Sequence, residues 1–318
     1  MKISIVMASY NYASIIGEAI ESVINQTYKD WELIIVDDGS ADNSVEVIKK
    51  YLSDNRIKLY INEKNLGLAK TVRKGIQYST SDWIAFLESD DKFFPNALEE
   101  KVKAISTGAD IIFSDLELFG DKERAEQFQK HFEDLNRFIV NLEESGFIDD
   151  FSKILPKINV IPTFSVVMTK KELLEKCDFN PLCKSALDYY LWAQLACYKV
   201  YYINKKLTFW RIHKDSYINR DKHSWLKKYL FNVSIYACAI KNKNNFIKPF
   251  LIMNYMRARL IYLKLDKKSI KLNLLNKYEN VREIFDNESN KIKRSINLKN
   301  DIVELKNIDI KKLDSKKS

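Results

Sequence analysis

The sequence predicts an α/β fold, a mostly parallel sheet flanked by helices with a helical C-terminal extension. Up to about residue 120, short apolar runs typical of buried strands alternate with amphipathic segments, which indicates a parallel sheet covered on both faces. From about residue 216 onward, only helical patterns rich in Lys, Ile, Leu and Tyr occur. We therefore predict a domain over residues 1–215, with halves 1–120 and 121–215, and a helical region over 216–318.

The first elements follow from apolar runs and turn residues. "ISIVMAS" is a β-branched run typical of a buried strand, and after Ser14, a predicted helix cap, apolar residues recur at helical spacing. "WELIIVD" is the next strand, and Ser40 or Asp42 is predicted to open the second helix. The alternation continues with "IKLYIN", a helix from about Leu66 to Tyr78, "DWIAFLE", a helix after Pro95 and "ADIIFSD".

The pattern changes after Gly120. A polar stretch over residues 121–145 is predicted to be helical, and "NVIPTFSVVMTKKELLEKCDFN" returns to a strand and a short helix. "ALDYYLWAQLACYK" then predicts a helix with leucines inward, and "VYYINKKLTFWRIH" predicts a long strand.

Composition limits the possible classes of protein. Of the 318 residues, 46% are hydrophobic and 30% are charged, which excludes disordered and collagen-like chains. The net charge of +9 suits nucleic acid, an anionic membrane surface or phosphorylated substrates, and the sign alone does not choose among them. The basic excess lies mainly after Lys199.

The first residues and the apolar runs indicate where the protein is located in the cell, and the cysteine pattern indicates whether its thiols are reduced. "MKISIVMASYNY" lacks the features of a signal peptide, and no apolar run approaches the roughly 18 residues that span a bilayer. We expect a cytoplasmic protein, with peripheral attachment to the inner face of the cell membrane as an open alternative. The four cysteines, none in a C-x-x-C pair, are expected to be reduced.

Polar residues follow three of the predicted strands. Ser9 and Tyr10 follow the first, Asp37 and Asp38 the second, and the segment Glu88–Asp91 follows "DWIAFL". Ligands of parallel sheets bind at the carboxyl ends of the strands, so these clusters are expected to share one rim. The absence of G-x-G-x-x-G and of G-x-x-x-x-G-K-[ST] argues against dinucleotide-binding and P-loop chemistry.

The acidic cluster after the fourth strand predicts a metal site. Glu88, Asp90 and Asp91 lie within four residues, and carboxylates this close repel one another unless a cation compensates them. Mg²⁺ typically uses one or two protein carboxylates, with phosphates and water as its other ligands. The alternative is structural: Glu88 ends the strand, Asp90 begins a turn and Asp91 caps the next helix.

Other candidate residues have two readings each. Asp37 and Asp38 either form a plain turn or accept hydrogen bonds from a nucleotide, and Tyr10 either packs or stacks on a base. Asp188 either caps its apolar helix or, if burial raises its pKa, acts as a general base. Arg211 can pair with phosphate, whereas a lone histidine such as His213 is usually structural.

Four segments carry a resemblance to a known family: "SIVMASYNYASIIGEAIESVINQTYKDWELIIVDDGSADNS", "NEKNLGLAKTVRKGIQYSTSDWIAFLESDD", "ALDYYLW" and "LTFWRIHKDS". Together they resemble the family 2 glycosyltransferases with the A-type (GT-A) fold, especially bacterial enzymes that build surface polysaccharides. The likeness covers residues 1–120 strongly and 160–215 weakly. It implies a nucleotide-binding first half and an acceptor-binding second half, in residues 1–120 and 121–215.

The resemblance also implies roles for single residues. The acid that contacts uracil or ribose falls on Asp38, with Asp37 adjacent. The D-x-D-type motif, which holds Mg²⁺ or Mn²⁺ on the donor diphosphate, falls on Glu88-Ser89-Asp90, with Asp91 next. The general base falls on Asp188.

The same resemblance places basic residues near the diphosphate. The late R-x-H motif falls on Arg211 and His213, near the diphosphate and metal, and Arg73 is expected on the same side. Two departures stand out: Glu88 replaces the usual aspartate, and Leu187 replaces the first acid of the late pair.

The implied activity is an inverting sugar transfer from a nucleotide-diphospho-sugar, in particular a UDP-sugar, to a hydroxyl of a glycan or lipid-linked glycan. No nucleic-acid partner is expected. One alternative is a sugar nucleotidyltransferase, although "ASYNYAS" lacks the glycine-rich basic loop that holds a triphosphate. The other, motivated by Glu88 and Leu187, is a degenerate non-catalytic protein that binds nucleotide or partners.

Overall fold

The computed structural model describes residues 1–126, 144–149, 151–155, 160–179 and 187–213. The start of the polar stretch is helical as predicted, over residues 122–126. The rest of that stretch up to residue 143, and the whole helical region 216–318, lie outside the described residues. Cys177 and Cys197, the cysteines within the described part, are free thiols.

The strands form one sheet in the order β3-β2-β1-β4-β8-β6-β9-β5, with β7 beside β9. The strands are β1 (Ile3–Ser9), β2 (Trp31–Asp37), β3 (Ile57–Ile61), β4 (Trp83–Phe86), β5 (Lys92–Phe93), β6 (Ile111–Gly120), β7 (Gly146–Phe147), β8 (Val167–Lys170) and β9 (Val200–Ile212). The helices are α1 (Ile16–Ile24), α2 (Ser44–Lys49), α3 (Leu68–Tyr78), α4 (Ala97–Ile105), α5 (Phe151–Ile154), α6 (Lys171–Glu175) and α7 (Leu187–Leu195), and a 3₁₀ turn covers Phe164–Val166.

The fold class is the predicted one, and the antiparallel strands are the detail that the prediction of a mostly parallel sheet did not locate. β1 pairs in parallel with β2 and β4, and β2 pairs in parallel with β3. β8 runs antiparallel to both β4 and β6, and β5 and β7 run antiparallel to β9. Strands β1 to β4 therefore form a parallel sheet with helical crossovers, whereas the antiparallel pairs of β5, β7 and β8 make the whole sheet mixed. Apolar periodicity reports burial and carries no information on direction.

Apolar side chains fill the space on both faces of the sheet. Val6 and Phe86 lie in the cluster that includes Trp192 of α7, whereas Ile5 packs with Ile20 of α1 on the other face. Neighbouring strand residues point to opposite faces, so a strand buried on both sides is mostly apolar. This explains the continuous apolar run in β1.

Helix α3 packs against β1 at an unusually short distance. A Cβ added to Gly75 of α3 would lie 2.5 Å from Cγ1 of Val6 and 3.6 Å from Cγ2 of Val36. Only glycine allows the helix to approach this closely, because separations under 3 Å require a neighbouring atom to move. Gly75 therefore sets the depth at which α3 sits on the sheet.

Helix starts differ slightly from the predictions. Ile15, rather than Ser14, precedes α1, and no side chain caps that helix. At α2, Asp42 Oδ1 accepts the N–H of Ser44 at 2.9 Å, but Asn43 precedes the helix and no side chain caps it, so neither Ser40 nor Asp42 is its N-cap. No helix in the described part of the chain is both long and apolar enough to cross a membrane.

Candidate functional site

The carboxyl ends of β1, β2 and β4 open into a cavity of about 350 Å³. β1 has β2 on one side and β4 on the other, which is the switch point where open α/β sheets bind ligands. The 3₁₀ turn and the start of α7 close the cavity from the second half of the chain. Predicted site residues that line it are Ser9, Tyr10, Asp38, Glu88, Ser89, Asp90 and Asp188.

Asp37 faces the protein rather than the cavity. Its carboxylate is fully buried and accepts the backbone N–H of Ser40 at 2.8 Å and the Ser40 hydroxyl at 2.6 Å. Gly39 between them has a φ of 72°, which glycine adopts without strain. Of the two readings of Asp37, the structure therefore favours the turn.

Asp38 lines the cavity and also holds a loop. Its Oδ1 accepts the N–H of Leu66 and the side-chain amide of Asn62, and its Oδ2 accepts the N–H of Gly67, each at 2.8 Å. Gly67 has a φ of 87°, and α3 begins only after it, two residues later than predicted. Asp38 thus fixes the loop that carries Asn65 and Gly67 into the cavity lining.

Glu88 lines the cavity, and its carboxyl group is bonded to a residue from the second half of the chain. Its Oε2 accepts the hydroxyl of Thr163 at 2.5 Å. Burial first, and then the charges of Asp90 and Asp188, raise the pKa of Glu88 to about 8, which the Thr163 bond opposes. The charges of Asp90 and Asp188 therefore disfavour ionisation of Glu88.

Asp90 lies at the rim of the same cavity and contacts the last strand. His213 Nε2 lies 3.0 Å from its Oδ2, and the Asp90 side chain is 15% exposed. Its carbonyl accepts Nε of Arg211 at 2.9 Å. Asp90 thus joins the cavity to the end of β9.

Asp91 is not where the metal prediction requires it. The side chain is fully buried and absent from the cavity lining. Both of its oxygens are used inside the protein: Oδ2 accepts the Ser165 hydroxyl at 2.6 Å, and Oδ1 accepts the N–H of Arg211 at 3.0 Å. Asp91 is therefore a buried structural acid in this structure, and ligation of a metal at the cavity falls to its neighbours.

The two predicted arginines also lie away from the cavity lining. Arg73 is exposed on α3. Arg211 is directed at Glu18, with Nη2 2.9 Å from Oε2, and its guanidinium carbon lies 4.3 Å from the centre of the Phe119 ring. Because β9 alternates faces, Trp210 lines the cavity while Arg211 points to the other side.

Asp188 is in the first turn of α7 and faces the cavity. Burial raises its pKa to about 7, and backbone N–H groups at the helix start partly oppose this shift. Leu187, Tyr189 and Trp192 around it are buried apolar or aromatic residues. A carboxyl group with this pKa can take a proton near neutral pH.

The charge of the cavity lining fits a cation. Asp38, Glu88, Asp90 and Asp188 line it, and no Lys, Arg or His of the described residues does. Among the described residues, no three His, Cys, Asp or Glu side chains converge closely enough to coordinate one ion by themselves. This fits an ion that the protein holds through one or two carboxylates while substrate oxygens complete its coordination.

Sequence reasoning missed two residues that organise this site, Thr163 and Ser165. Thr163 bonds Glu88, and Ser165 bonds Asp91, each across more than 70 residues of chain. Within "IPTFSVVM" neither residue belongs to a motif, so only their position in space reveals the contact.

Comparisons with known proteins agree with this arrangement. The family model described as Glycosyl transferase family 2 matches residues 4–177. An uncharacterized glycosyltransferase of Rickettsia bellii is 32% identical over 240 residues, which are 74% of this chain and 32% of that protein. The Escherichia coli UDP-Glc:alpha-D-GlcNAc-diphosphoundecaprenol beta-1,3-glucosyltransferase WfgD is 42% identical over 100 residues, 31% of this chain and 39% of that one. The match thus spans about a third of each relative's length.

Two solved structures share the fold. S. aureus TarS in complex with UDP-GlcNAc superposes with a TM-score of 0.60 at 16% identity, covering 77% of this chain and 67% of that one. The mannosyltransferase PcManGT from Pyrobaculum calidifontis, in complex with GDP-Man and Mn²⁺, has a TM-score of 0.56 at 15% identity, covering 89% and 80%. The family match, which covers more than half of the sequence, shows that the chain belongs to glycosyl transferase family 2.

Proposed function

We propose that this protein transfers a sugar from a nucleotide-diphospho-sugar to a hydroxyl of a glycan or lipid-linked glycan acceptor, in the synthesis of a cell-surface polysaccharide. The observation that carries the proposal is that Asp90, at the rim after β4, and Asp188, on α7, face one cavity at the switch point of the sheet. The first is suited to hold a diphosphate through a cation, and the second to take a proton.

A UDP-sugar is the donor that we favour. WfgD is named for UDP-Glc and TarS was solved with UDP-GlcNAc, whereas the mannosyltransferase was solved with GDP-Man. In this chain, Ser9, Tyr10 and Asp38 line the part of the cavity at the ends of β1 and β2, where the nucleoside would lie. The diphosphate would then lie beside Glu88 and Asp90.

The donor diphosphate and the cavity lining are both negative, so the complex needs a positive charge between them. Glu88 and Asp90 would hold Mg²⁺ or Mn²⁺ there, with His213 steadying Asp90 from β9. Such an ion, when bound, neutralises the charge that develops on the leaving diphosphate. Because Asp91 has both oxygens bonded inside the protein, we assign it no direct ligation.

The transfer itself needs a base and an in-line attack. The acceptor oxygen forms a bond to the anomeric carbon while the bond from that carbon to the diphosphate oxygen breaks. Asp188 receives the proton of the acceptor hydroxyl, and the nucleoside diphosphate leaves with the electron pair. A single displacement of this kind inverts the anomeric centre. The raised pKa of Asp188, about 7, suits this proton transfer.

The test is a donor screen on the full chain. The protein is incubated with uridine, guanosine and thymidine diphosphate sugars in Mg²⁺ or Mn²⁺, without acceptor, and release of nucleoside diphosphate is measured. Slow hydrolysis of one donor, lost in Asp188→Asn, is expected. Tight nucleotide binding without hydrolysis, and without transfer to lipid-linked glycans, would instead favour a non-catalytic nucleotide-binding protein.

We further propose that the protein works on the cytoplasmic side of the membrane and that its C-terminal region attaches it there. The segment "FIKPFLIMNYMRARLIYLKLDKKSIKLNLLNKY" mixes large apolar residues with lysines and arginines, as interfacial amphipathic helices do. The alternative is a helical cap that packs on the catalytic domain with solvated lysines.

A further inference from the structure

Ser165 lies directly beneath the acidic turn that follows β4, and it is fully buried. Its hydroxyl accepts the backbone N–H of Glu88 at 3.0 Å and donates to Oδ2 of Asp91 at 2.6 Å. The turn is closed by a backbone bond from the N–H of Asp91 to the carbonyl of Glu88, at 3.1 Å. One hydroxyl therefore bridges both ends of the Glu88–Asp91 turn.

The backbone of Ser165 is held from two other elements. Its carbonyl accepts Nζ of Lys101 on α4 at 3.3 Å and the hydroxyl of Thr208 on β9 at 2.9 Å. Lys101 and Thr208 are both fully buried. The bridging hydroxyl therefore has a fixed position.

Asp91 extends the same connection to the last strand. Its Oδ1 accepts the N–H of Arg211, two residues before His213, at 3.0 Å. With both oxygens of Asp91 anchored, the turn is oriented so that Glu88 and Asp90 line the cavity. The buried acid thus acts on the site through its neighbours.

We propose that Ser165 and Asp91 are a positioning pair that presents Glu88 and Asp90 to the cation of the donor complex. The inference rests on the proposed function, because it concerns the ion that the donor diphosphate brings. It assigns Ser165 a role that the motifs do not reveal, and it gives Asp91 a function other than that of a ligand.

The test compares Ser165→Ala with Thr169→Val in the full chain. Binding of Mn²⁺ is followed by electron paramagnetic resonance in the presence of UDP, and binding of UDP alone by calorimetry. Residues that orient the ligands of a metal typically change metal affinity by about 10- to 100-fold when mutated. We expect a loss of that size in Ser165→Ala. Thr169→Val, which removes another fully buried hydroxyl, bonded to the carbonyl of Asp110 at 3.1 Å and away from the cavity lining, is expected to keep Mn²⁺ affinity close to that of the unmodified protein.

The outcomes separate this inference from the proposed function. If the unmodified protein binds no Mn²⁺ with UDP, the proposed function fails. If it does and Ser165→Ala binds Mn²⁺ equally well, the positioning role is overturned. If both variants lose Mn²⁺ affinity equally and their melting temperatures fall equally, the loss reflects general destabilisation, and the positioning role is also overturned.

A second variant covers the case in which Ser165→Ala does not fold. Asp91→Asn keeps the volume of the side chain but replaces one acceptor oxygen by a donor, so either the N–H of Arg211 or the hydroxyl of Ser165 loses the oxygen to which it donates. A loss of Mn²⁺ affinity is expected, with UDP binding in the absence of metal unchanged. If Asp91→Asn binds Mn²⁺ as tightly as the unmodified protein does, the proposal is contradicted. A loss in Asp91→Asn beside full affinity in a folded Ser165→Ala would make Asp91 a direct ligand instead.

Discussion

His213 Nε2 lies 3.0 Å from Oδ2 of Asp90, although 123 residues separate the two in the chain. The contact joins the end of β9 to the turn after β4, so the two halves of the sequence meet at the residue that we assign to the cation. Changing Asp90 to Ala is therefore expected to abolish the stimulation of nucleotide binding by Mg²⁺ or Mn²⁺, while the fold persists. Calorimetry with UDP, with and without metal, measures this.

The control for that prediction is Asp121→Ala. Asp121 is 44% exposed and pairs with Arg124 at the surface, away from the cavity lining. Asp121→Ala is expected to bind UDP with the same metal stimulation as the unmodified protein. Full metal stimulation in Asp90→Ala, or full activity in excess chelator, would contradict the assignment.

Asp188→Asn is expected to keep nucleotide affinity and lose turnover, because asparagine retains the shape of the side chain but cannot accept the proton. A positioned base contributes about 10²- to 10⁴-fold, so kcat should fall by that factor. Nucleoside diphosphate binding and sugar transfer are measured on the same preparation. Asp115→Asn is the matched control, because the pKa of Asp115 is also raised by burial but its side chain is not part of the cavity lining.

The same assignment predicts a pH dependence. Asp188 acts as a base only when ionised, and burial raises its pKa to about 7. Below that pH the ionised fraction falls, so kcat should decline with acidification, with its midpoint near neutrality, while UDP binding changes less. A flat profile down to pH 5, or a loss of turnover in Asp115→Asn alone, would move the base elsewhere.

Lys101→Met is expected to stabilise the protein, and more so at low pH. Burial lowers the pKa of Lys101 to about 7, whereas the unfolded chain keeps a value near 10.4. Between these values the unfolded state binds one more proton, so the free energy of unfolding contributed by this group rises with pH, by about 1.4 kcal/mol per unit at most. Below about pH 7 the full penalty remains. Methionine removes it, and chemical denaturation at pH 6 and pH 9 compares the two proteins.

The control for Lys101 is Lys103→Met, two residues along the same helix at an exposed position. It should change stability little at either pH. If Lys101→Met destabilises the protein equally at both pH values, the bond from Nζ to the Ser165 carbonyl outweighs the cost of burial.

Gly75→Ala is expected to destabilise the domain, because the new Cβ would meet Val6 Cγ1 at 2.5 Å. Overpacking of this kind costs about 1–3 kcal/mol. Gly146→Ala is the control, since a Cβ there meets no atom within 4 Å. Thermal unfolding measures the melting temperatures of the two variants. Equal stability in both would show that α3 can shift without a loss of stability.

Removal of residues after about 265 is expected to weaken binding to anionic vesicles. The motivation is the lysine-rich apolar sequence of this region, which lies outside the described residues. Vesicle sedimentation at low and high salt measures it, because electrostatic attraction is screened by ions. Binding that is unchanged by truncation and insensitive to salt would rule out the electrostatic attachment.

The sequence was sufficient to predict the parallel half of the fold and the rim of the cavity. Both depend on local information: β1, β2 and β4 are mostly apolar because they are covered on both faces, and the polar residues that end them must share an edge. For the same reason Ser9, Asp38 and Glu88 were placed together correctly.

What the sequence did not predict depends on direction and on distant contacts. The reversal of β8 cannot be read from hydrophobicity, and the partners of Asp91 and Arg211 come from other parts of the chain. Asp91 is next to Asp90 in sequence, yet one acid is fully buried and the other lines the cavity. Their proximity in sequence suggested that both acids bind the metal, whereas in the structure only Asp90 lines the cavity.

The position of β9 between β6 and β5 has a consequence for how the protein is made. β5 pairs with β9 alone among the described strands, and Asp90 meets His213 only once residue 213 has been synthesised. At ribosomal rates of roughly 5–20 residues per second, on the order of ten seconds separate the two partners. During that interval, a nascent chain with β1 to β4 already paired carries the acidic turn without β9 beside it. A ribosome stalled before residue 200 should therefore display a folded first half in which the metal-dependent binding that we propose is still missing.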